Sequence, residues 1–125
     1  MKLLVVDDQE AVAMIVCEIA AQGGWEAIHT NKANDVPNLI KSEEIDILLI
    51  DYLMPEKNGL DVVSELRQAG ETLPVILFSG ETWQIDTEQA EALGVVQILQ
   101  KPLSISELRK AMSAAVRMRR TSETT

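Results

Sequence analysis

The chain has 125 residues, of which 46% are hydrophobic, and this suits one globular domain with a single core. Its 20 acidic and 11 basic residues give a net charge of −9, so we expect the domain not to bind DNA or RNA directly. No apolar run approaches the roughly 18 residues of a membrane span, and the run after Met1-Lys2 is shorter than the apolar region expected of a signal peptide. The lone Cys17 is predicted to be a small buried hydrophobe. These features predict a cytoplasmic protein.

Apolar runs alternate with helical patterns along the chain. Four runs are continuously apolar, which predicts strands that are covered on both faces, as in a parallel sheet. One further run, with Trp25 and His29, is more polar and suits a strand at the edge of the sheet. The predicted strands are residues 2–6, 25–30, 45–50, 75–78 and 95–99.

The helical patterns lie between and after these strands. In chain order, the first covers residues 9–22 and ends at Gly23-Gly24, the second ends near Ser42, and the third ends at Gly70. In the second, Asn34 or Asp35 is the candidate cap, and Pro37 is tolerated in the first turn. The predicted buried stripes are Val12, Ile15, Val16 and Ile19 in the first helix and Leu60, Val63 and Leu66 in the third.

The fourth helix is expected from about Asp86 to Leu93, with Gly94 as its end. The fifth has the strongest start signal, because the segment from Ser104 to Glu107 has the pattern of a capping box. Leu103 and Leu108 are spaced for a hydrophobic staple at this start. Its predicted buried residues are Ile105, Leu108, Met112 and Ala115, and we also expect Met118 to pack.

This alternation predicts an α/β fold of five βα units, with a doubly wound five-stranded parallel sheet in the flavodoxin-like order 2-1-3-4-5. We expect residues 1–118 to form the domain. Residues 119–125 are predicted to be a polar tail or the start of a linker.

Polar residues directly follow four of the predicted strands. They are Asp7-Asp8, Asp51, Ser79-Gly80 and Lys101-Pro102. Each has an ordinary structural explanation, since Asp8 could cap a helix, Asp51 and Ser79 could lie in turns, and Lys101 could be solvated. Ligands of open α/β sheets bind at the carboxyl ends of the strands, so the four positions together favour one shared site.

The chemistry of such a site follows from its charges. Two carboxylates about 4 Å apart repel each other by about 4 kcal/mol at an effective dielectric constant of about 20. A cluster of Asp7, Asp8 and Asp51 therefore requires a cation or shifted pKa values. Oxygen ligands without histidine or cysteine favour Mg²⁺, and a carboxylate beside Mg²⁺ and a lysine is suited to attack on phosphorus.

Four segments together closely resemble the bacterial response-regulator receiver family over roughly residues 1–118. They are LLVVDD at 3–8, LLIDYLMPEKNG at 48–59, VILFSG at 75–80 and LQKPLS at 99–104. The resemblance implies a signalling domain without a catalytic turnover of its own beyond its phosphorylation and dephosphorylation. It implies a histidine kinase or phosphotransfer protein as phosphoryl donor and an effector protein or domain as output partner.

The same resemblance implies a role for each site residue. Asp51 would be the phosphoacceptor, and Lys101 and Ser79 would contact the phosphoryl group. Asp8 and Asp51 would bind Mg²⁺ directly, with Asp7 acting through water and the Leu53 carbonyl as a further ligand. Other implied features are an open space at Gly80, a loop shaped by Pro55 and Gly59, and a Lys101-Pro102 bond that is often cis.

One position departs from the family pattern. Three residues before Lys101, the family usually has Tyr or Phe, whose ring moves inward on activation, whereas this chain has Ile98. The usual transmission to the surface of the fourth helix, fifth strand and fifth helix is therefore in doubt. A phosphorylation-dependent dimer through that surface is a further expectation.

Three other functions are compared with this one. A phosphatase of the haloacid-dehalogenase type expects an acid two residues after the nucleophile, where this chain has Leu53. A nucleotide-binding module would need a glycine-rich phosphate-binding loop after a strand, and no predicted strand of this chain is followed by one. A pseudo-receiver that only binds partners stays open, although the complete set of acids, serine and lysine argues against it. Trp83, in the loop after Ser79, is a candidate reporter of site occupancy.

Overall fold

The computed structural model describes the backbone of residues 1–124 and the side chains of residues 1–118. Five parallel strands form one sheet in the order β2-β1-β3-β4-β5, which confirms the predicted fold and strand order. The more polar strand β2 lies at one edge, as expected. The strands are β1 (Lys2–Val6), β2 (Glu26–Thr30), β3 (Ile47–Asp51), β4 (Val75–Ser79) and β5 (Val95–Gln100).

A helix follows each strand. The helices are α1 (Glu10–Gln22), α2 (Val36–Ser42), α3 (Gly59–Gln68), α4 (Thr87–Ala92) and α5 (Ile105–Thr124), with short 3₁₀ turns at Ala33–Asp35 and Thr82–Gln84. The side chains of the predicted tail or linker, residues 119–125, lie outside the described residues, so its role stays a prediction. No helix in the described part of the chain is long and apolar enough to cross a membrane.

The core consists of two apolar clusters, one on each face of the sheet. Because successive side chains of a strand point to opposite faces, Leu4 and Val6 of β1 belong to one cluster, and Leu3 and Val5 belong to the other. The first cluster packs against α2, α3 and α4, and the second packs against α1 and α5. This double coverage explains why the central strands are continuously apolar in sequence.

Two predicted buried stripes need correction. In α1 the buried residues are Ala13, Val16 and Ala20, whereas Ile15 is 58% exposed. The small alanines face the sheet beside Val16, so Val12 and Ile19 lie half-buried at the rim of the core and Ile15 faces solvent. In α5, the first-turn Ile105 and the later Met118 are exposed, against expectation. The buried α5 residues Leu108, Met112 and Ala115 confirm the rest of the stripe, and Cys17 is only half-buried.

The helix starts are fixed by local hydrogen bonds. Ser104 Oγ accepts a bond from the Glu107 backbone N–H at 3.0 Å, which is one half of the predicted capping box. A complete capping box joins Asn58 and Asp61 at the start of α3, although these residues do not have the usual Ser/Thr and Glu/Gln pattern of a capping box. Asp35, in contrast, precedes α2 without a side-chain capping bond. The α3 box fixes the end of the loop that follows β3.

Candidate functional site

The predicted site residues meet at the carboxyl edge of the sheet. Asp7 directly follows β1, Asp51 and Ser79 end β3 and β4, and Lys101 directly follows β5. Among the side chains that the structure describes, the buried polar ones are Asp7, Asp51 and Ser79, with exposures of 0%, 4% and 0%. Burying a polar group costs free energy unless it has hydrogen-bond partners. The three buried polar side chains all lie at the predicted site, so the fold holds these groups together there at some cost in stability.

Lys101 joins the two buried carboxylates. Its Nζ lies 3.0 Å from Asp7 Oδ2 and 3.1 Å from Asp51 Oδ2, and it also donates to Gln9 Oε1 at 3.4 Å. The ammonium lies 4.9 Å from the centroid of the Phe78 ring, within reach of a cation–π interaction. The Lys101 backbone N–H donates to the Ser79 carbonyl at 2.9 Å, and the Lys101-Pro102 bond is cis, as the family resemblance implies.

Gln9 is a site residue that sequence reasoning missed. Its side chain is exposed and reaches Lys101, while its backbone N–H donates to Asp7 Oδ1 at 2.9 Å. The two bonds tie both Lys101 and Asp7 to the first residue before α1. The only sequence signal was its place directly after Asp8, and this spacing does not predict a contact with residue 101.

Three carboxylates lie close enough to share one cation. Asp7, Asp8 and Asp51 each offer an oxygen atom, and the three atoms lie within 4.8 Å of one another. Asp8 is exposed, so the cluster is open to solvent on its side. An all-oxygen set with an open side suits Mg²⁺, which keeps several waters and also binds phosphate oxygens. The residues present therefore fit the ion that the family resemblance implies.

The crowding of charge shifts two pKa values. Burial, followed by the charge of Asp7, raises the pKa of Asp51 from its ordinary 3.8 to about 6, although Lys101 opposes the shift. Burial alone would lower the pKa of Lys101, but its bonds to Asp7 and Asp51 outweigh burial and raise it. At neutral pH the site therefore contains an ammonium and a carboxylate whose negative charge is destabilised by its surroundings.

The loop after β3 also holds Asp51 in place. The Leu53 backbone N–H donates to Asp51 Oδ1 at 3.2 Å, which leaves Oδ2 for Lys101. Gly59 is buried against this turn, and a Cβ added there would lie 2.6 Å from the Asp51 carbonyl oxygen. Gly59 thus allows α3 to begin in contact with the backbone of Asp51. The Leu53 side chain is exposed, and the role of its carbonyl as a metal ligand stays a prediction.

Ser79 lies one residue beyond Phe78, the β4 partner of Asp51 in the sheet register. Its Oγ accepts a hydrogen bond from the Glu81 backbone N–H at 3.1 Å. An added Cβ on Gly80 would have no atom within 4 Å, and the expected role of this open position beside a phosphoryl group stays a prediction. The contact of Ser79 with a phosphoryl group stays a prediction.

Ile98 lies in β5 opposite Leu77. It is half-buried and packs against the apolar cluster on the α3 and α4 face. A β-branched side chain is restricted at χ1, and this one carries no aromatic ring. The inward ring movement that the family uses to transmit phosphorylation is therefore not available at position 98.

A sheet of this order, with clustered acids and a lysine at its carboxyl edge, is the architecture of a signalling receiver domain. The family model described as "Response regulator receiver domain" matches residues 3–113. The chain therefore belongs to the response regulator receiver domain family of two-component systems.

Known proteins agree with this assignment. The chain is 33% identical to "Response regulator SaeR" of Staphylococcus aureus over 106 residues, which are 85% of this chain and 46% of that protein. It thus spans about half the length of the curated relatives it matches. A receiver domain protein from Clostridium thermocellum is similar in fold, with a TM-score of 0.87, 21% identity and coverage of 96% and 97%. The Francisella response regulator 1452 receiver domain gives a TM-score of 0.81 at 25% identity, with coverage of 94% and 98%.

Proposed function

We propose that Asp51 accepts a phosphoryl group from a phosphohistidine of a histidine kinase or phosphotransfer protein. The observation that carries this proposal is the position of Lys101 Nζ, 3.1 Å from Asp51 Oδ2 beside the buried Asp7. An Asp51 oxygen attacks the phosphorus, the bond between phosphorus and the donor's imidazole nitrogen breaks, and the imidazole leaves with a proton. The product is an aspartyl phosphate, and the donor returns to its unphosphorylated form.

Burial and two hydrogen-bond donors prepare Asp51 for this attack. Burial removes water from the carboxylate, the Leu53 N–H fixes one oxygen, and the Lys101 ammonium orients the other. The Lys101 Nζ contacts both Asp7 and Asp51. It can therefore donate a hydrogen bond to an oxygen of the incoming phosphoryl group while it keeps a contact with one of these carboxylates. Catalysis in this scheme is mostly positioning and charge compensation.

Mg²⁺ is the proposed cofactor. Asp8, Asp51 and the Leu53 carbonyl would hold it directly, and Asp7 would hold it through a water molecule. The ion supplies positive charge that offsets the three carboxylates and the phosphoryl oxygens. The mutual distance of 4.8 Å or less among the oxygens of Asp7, Asp8 and Asp51 supports this assignment.

The proposed output is a change in the surface formed by α4, β5 and α5, which we name the output face. Among the described side chains its two helices carry opposite net charges, because α4 exposes Glu88 and Glu91, while α5 exposes Arg109, Lys110 and Arg117 against the single acid Glu107. In a two-fold dimer that places α4 of one copy against α5 of the other, these charges would attract each other. We propose that phosphorylation favours this dimer or binding of an effector, in the cytoplasm where the kinase domain would act.

The test is incubation with acetyl phosphate and Mg²⁺, followed by intact-mass measurement. We expect one added phosphoryl group that is lost on treatment with hydroxylamine, and no addition when EDTA is present. Asp51→Asn should remain unmodified, while Glu88→Gln, an exposed charge removal on α4, should be modified like the wild type. An Asp51→Asn chain that gained the same labile mass would overturn the assignment.

A phosphatase of the haloacid-dehalogenase type has no support at position 53. Leu53 is 45% exposed and offers no side-chain proton to a leaving group. The pseudo-receiver alternative predicts no added mass under any of these conditions, so the same experiment separates it from the proposal.

A further inference from the structure

A short hydrogen-bonded network connects Ser79 to the residue after Asp51. Ser79 Oγ accepts from the Glu81 backbone N–H at 3.1 Å, and Glu81 Oε2 accepts from Gln84 Nε2 at 2.6 Å. The Gln84 carbonyl accepts from the Tyr52 hydroxyl at 3.5 Å. The network therefore bridges the loops that follow β3 and β4, between residues 32 positions apart in sequence.

Tyr52 is a firm anchor for this network. Its backbone N–H donates to the Phe78 carbonyl at 2.8 Å, and its own carbonyl accepts from the Gly59 N–H at 2.8 Å. The side chain is half-buried and packs against the apolar cluster that also contains Ile98. The backbone of Tyr52 is thus fixed beside Asp51, while its hydroxyl reaches the segment after Ser79.

That segment has room to move. Nothing lies within 4 Å of a Cβ added to Gly80, and Glu81, Trp83 and Gln84 are exposed. The segment continues into buried Ile85 and then into Asp86, whose Oδ1 caps α4 by accepting from the Gln89 N–H at 3.1 Å. Gln84 is therefore separated from the capping residue of α4 by Ile85 alone.

Engagement of Ser79 with a phosphoryl group on Asp51 would change this network. Rotation of the serine side chain toward Asp51 moves Oγ away from the Glu81 N–H, so the start of the segment loses its present partner. Glu81 and Gln84 belong to one turn, closed by the bond from the Gln84 N–H to the Glu81 carbonyl at 3.1 Å. Movement of Glu81 therefore carries the Gln84 carbonyl away from Tyr52.

We propose that Tyr52 is a positioning residue that holds residues 79–85 in the resting arrangement, and that loss of its bond to Gln84 transmits phosphorylation to α4. This inference rests on the proposed function, because it requires a phosphoryl group at Asp51. It supplies a route that does not pass through residue 98, where a core-packed isoleucine replaces the usual ring. The phenol comes instead from the residue that directly follows β3, next to the acceptor.

The test compares the wild type with Tyr52→Phe, which removes only the hydroxyl. Beryllofluoride serves as the phosphoryl mimic in the presence of Mg²⁺, and its binding is measured by fluorine NMR. Since the lost bond favours the resting arrangement, we expect Tyr52→Phe to bind beryllofluoride about two- to fivefold more tightly. Mg²⁺ affinity without beryllofluoride should match the wild type, because the ligands of the ion are unchanged, whereas a general disruption of the site would weaken the binding of both Mg²⁺ and beryllofluoride.

A second pair of variants tests the network itself. Gln84→Met removes the bond to Glu81 and should also tighten beryllofluoride binding, whereas Gln89→Met, on exposed α4, should not. Trp83, 79% exposed and next to Gln84, should change its fluorescence at lower beryllofluoride concentrations in Tyr52→Phe than in the wild type.

The measurements distinguish failure of the Tyr52 inference from failure of the phosphoacceptor proposal. Unchanged or weaker beryllofluoride binding by Tyr52→Phe, with normal binding by the wild type, would overturn this inference and leave the phosphoacceptor proposal standing. A wild type that binds no beryllofluoride in the presence of Mg²⁺ would overturn both.

Discussion

Lys101 Nζ lies 3.1 Å from Asp51 Oδ2 across the carboxyl edge of the sheet, although the two residues are 50 positions apart in sequence. The ammonium makes a second contact with Asp7, and its side chain is only 18% exposed. Removing one partner of a buried charge pair leaves the other uncompensated, which is more damaging than losing a surface ion pair. The stability of the metal-free domain should therefore depend strongly on this lysine.

Lys101→Met should lower the free energy of unfolding by about 3 kcal/mol at pH 8 without Mg²⁺, because Asp7 and Asp51 lose their cation. The loss should be smaller at pH 5, where Asp51 can take up a proton. Urea unfolding at both pH values measures the effect. Lys110→Met, an exposed control on α5, should change the free energy of unfolding by less than about 0.5 kcal/mol. Equal losses for the two variants would contradict the role assigned to the buried pair.

The raised pKa of Asp51 predicts the pH dependence of metal-free stability. The folded value is about 6 and the ordinary value is 3.8, so between them the native state binds more protons than the unfolded state. The contribution of this group is therefore full below the ordinary value and is lost as the pH rises toward 6. Asp51→Asn lacks this decline, and at pH 8 it should be more stable than the wild type by about 1–2 kcal/mol.

The informative quantity is the difference in the free energy of unfolding between wild type and Asp51→Asn, because it isolates the contribution of this one carboxyl group. Urea unfolding between pH 4 and pH 8 should give curves that diverge as the pH rises. Added Mg²⁺ should stabilise the wild type more than the variant, because Asp51 is a proposed ligand. Parallel curves would mean that the Asp51 carboxylate is not destabilised by its surroundings.

Much of this arrangement is predictable from sequence because it follows from the parallel sheet. Continuous apolar strands require cover on both faces, and parallel strands bring their carboxyl ends to one edge. The positions of Asp7, Asp51, Ser79 and Lys101 at that edge follow directly. Each of these four residues alone could be an ordinary turn, cap or solvated residue, and only their occurrence together at the strand ends predicts a shared site.

Other features depend on packing that a periodic pattern does not contain. The helical pattern identified the apolar side of α1, but alanines at positions 13 and 20 let that helix approach the sheet and left Ile15 exposed. Gln9 contacts Lys101, and Tyr52 contacts Gln84, only because loops from different strands end side by side. Neither contact has a local sequence signal.

Two glycines that follow β3 and β4, Gly59 and Gly80, offer a matched comparison of steric constraint. A Cβ at position 59 would lie 2.6 Å from the Asp51 carbonyl oxygen and 2.9 Å from a Leu77 side-chain carbon, whereas one at position 80 would contact nothing within 4 Å. Gly59→Ala should therefore lower the free energy of unfolding by about 1–3 kcal/mol, and Gly80→Ala should have little effect. Urea unfolding at pH 7 tests this.

Gly59→Ala and Gly80→Ala also separate effects on stability from effects on phosphorylation. If Gly80 keeps space for the phosphoryl group, Gly80→Ala should slow labelling by acetyl phosphate while remaining as stable as the wild type. Labelling of Gly80→Ala at the wild-type rate would contradict that role. A Gly59→Ala chain with wild-type stability would show that α3 can move away from the acceptor turn.

The opposite charges of the output face predict which substitutions control dimerisation. Glu88→Lys removes an acidic group from α4, and Arg109→Glu removes a basic group from α5, so each should weaken the dimer that we propose forms with Mg²⁺ and beryllofluoride. Each variant alone places like charges opposite each other in a two-fold pairing of α4 with α5. Sedimentation velocity should therefore report monomers at concentrations where the wild type dimerises.

An equimolar mixture of the two variants distinguishes specific pairing from a general loss of solubility or fold. In the mixed dimer, the lysine introduced at position 88 of one variant can oppose the glutamate introduced at position 109 of the other, and that half of the interface regains opposite charges. We expect the mixture to dimerise more strongly than either variant alone, and increasingly so at low salt, because exposed charges are screened over about 10 Å at 0.1 M ionic strength. A mixture no better than its components would mean that α4 does not face α5 in the dimer.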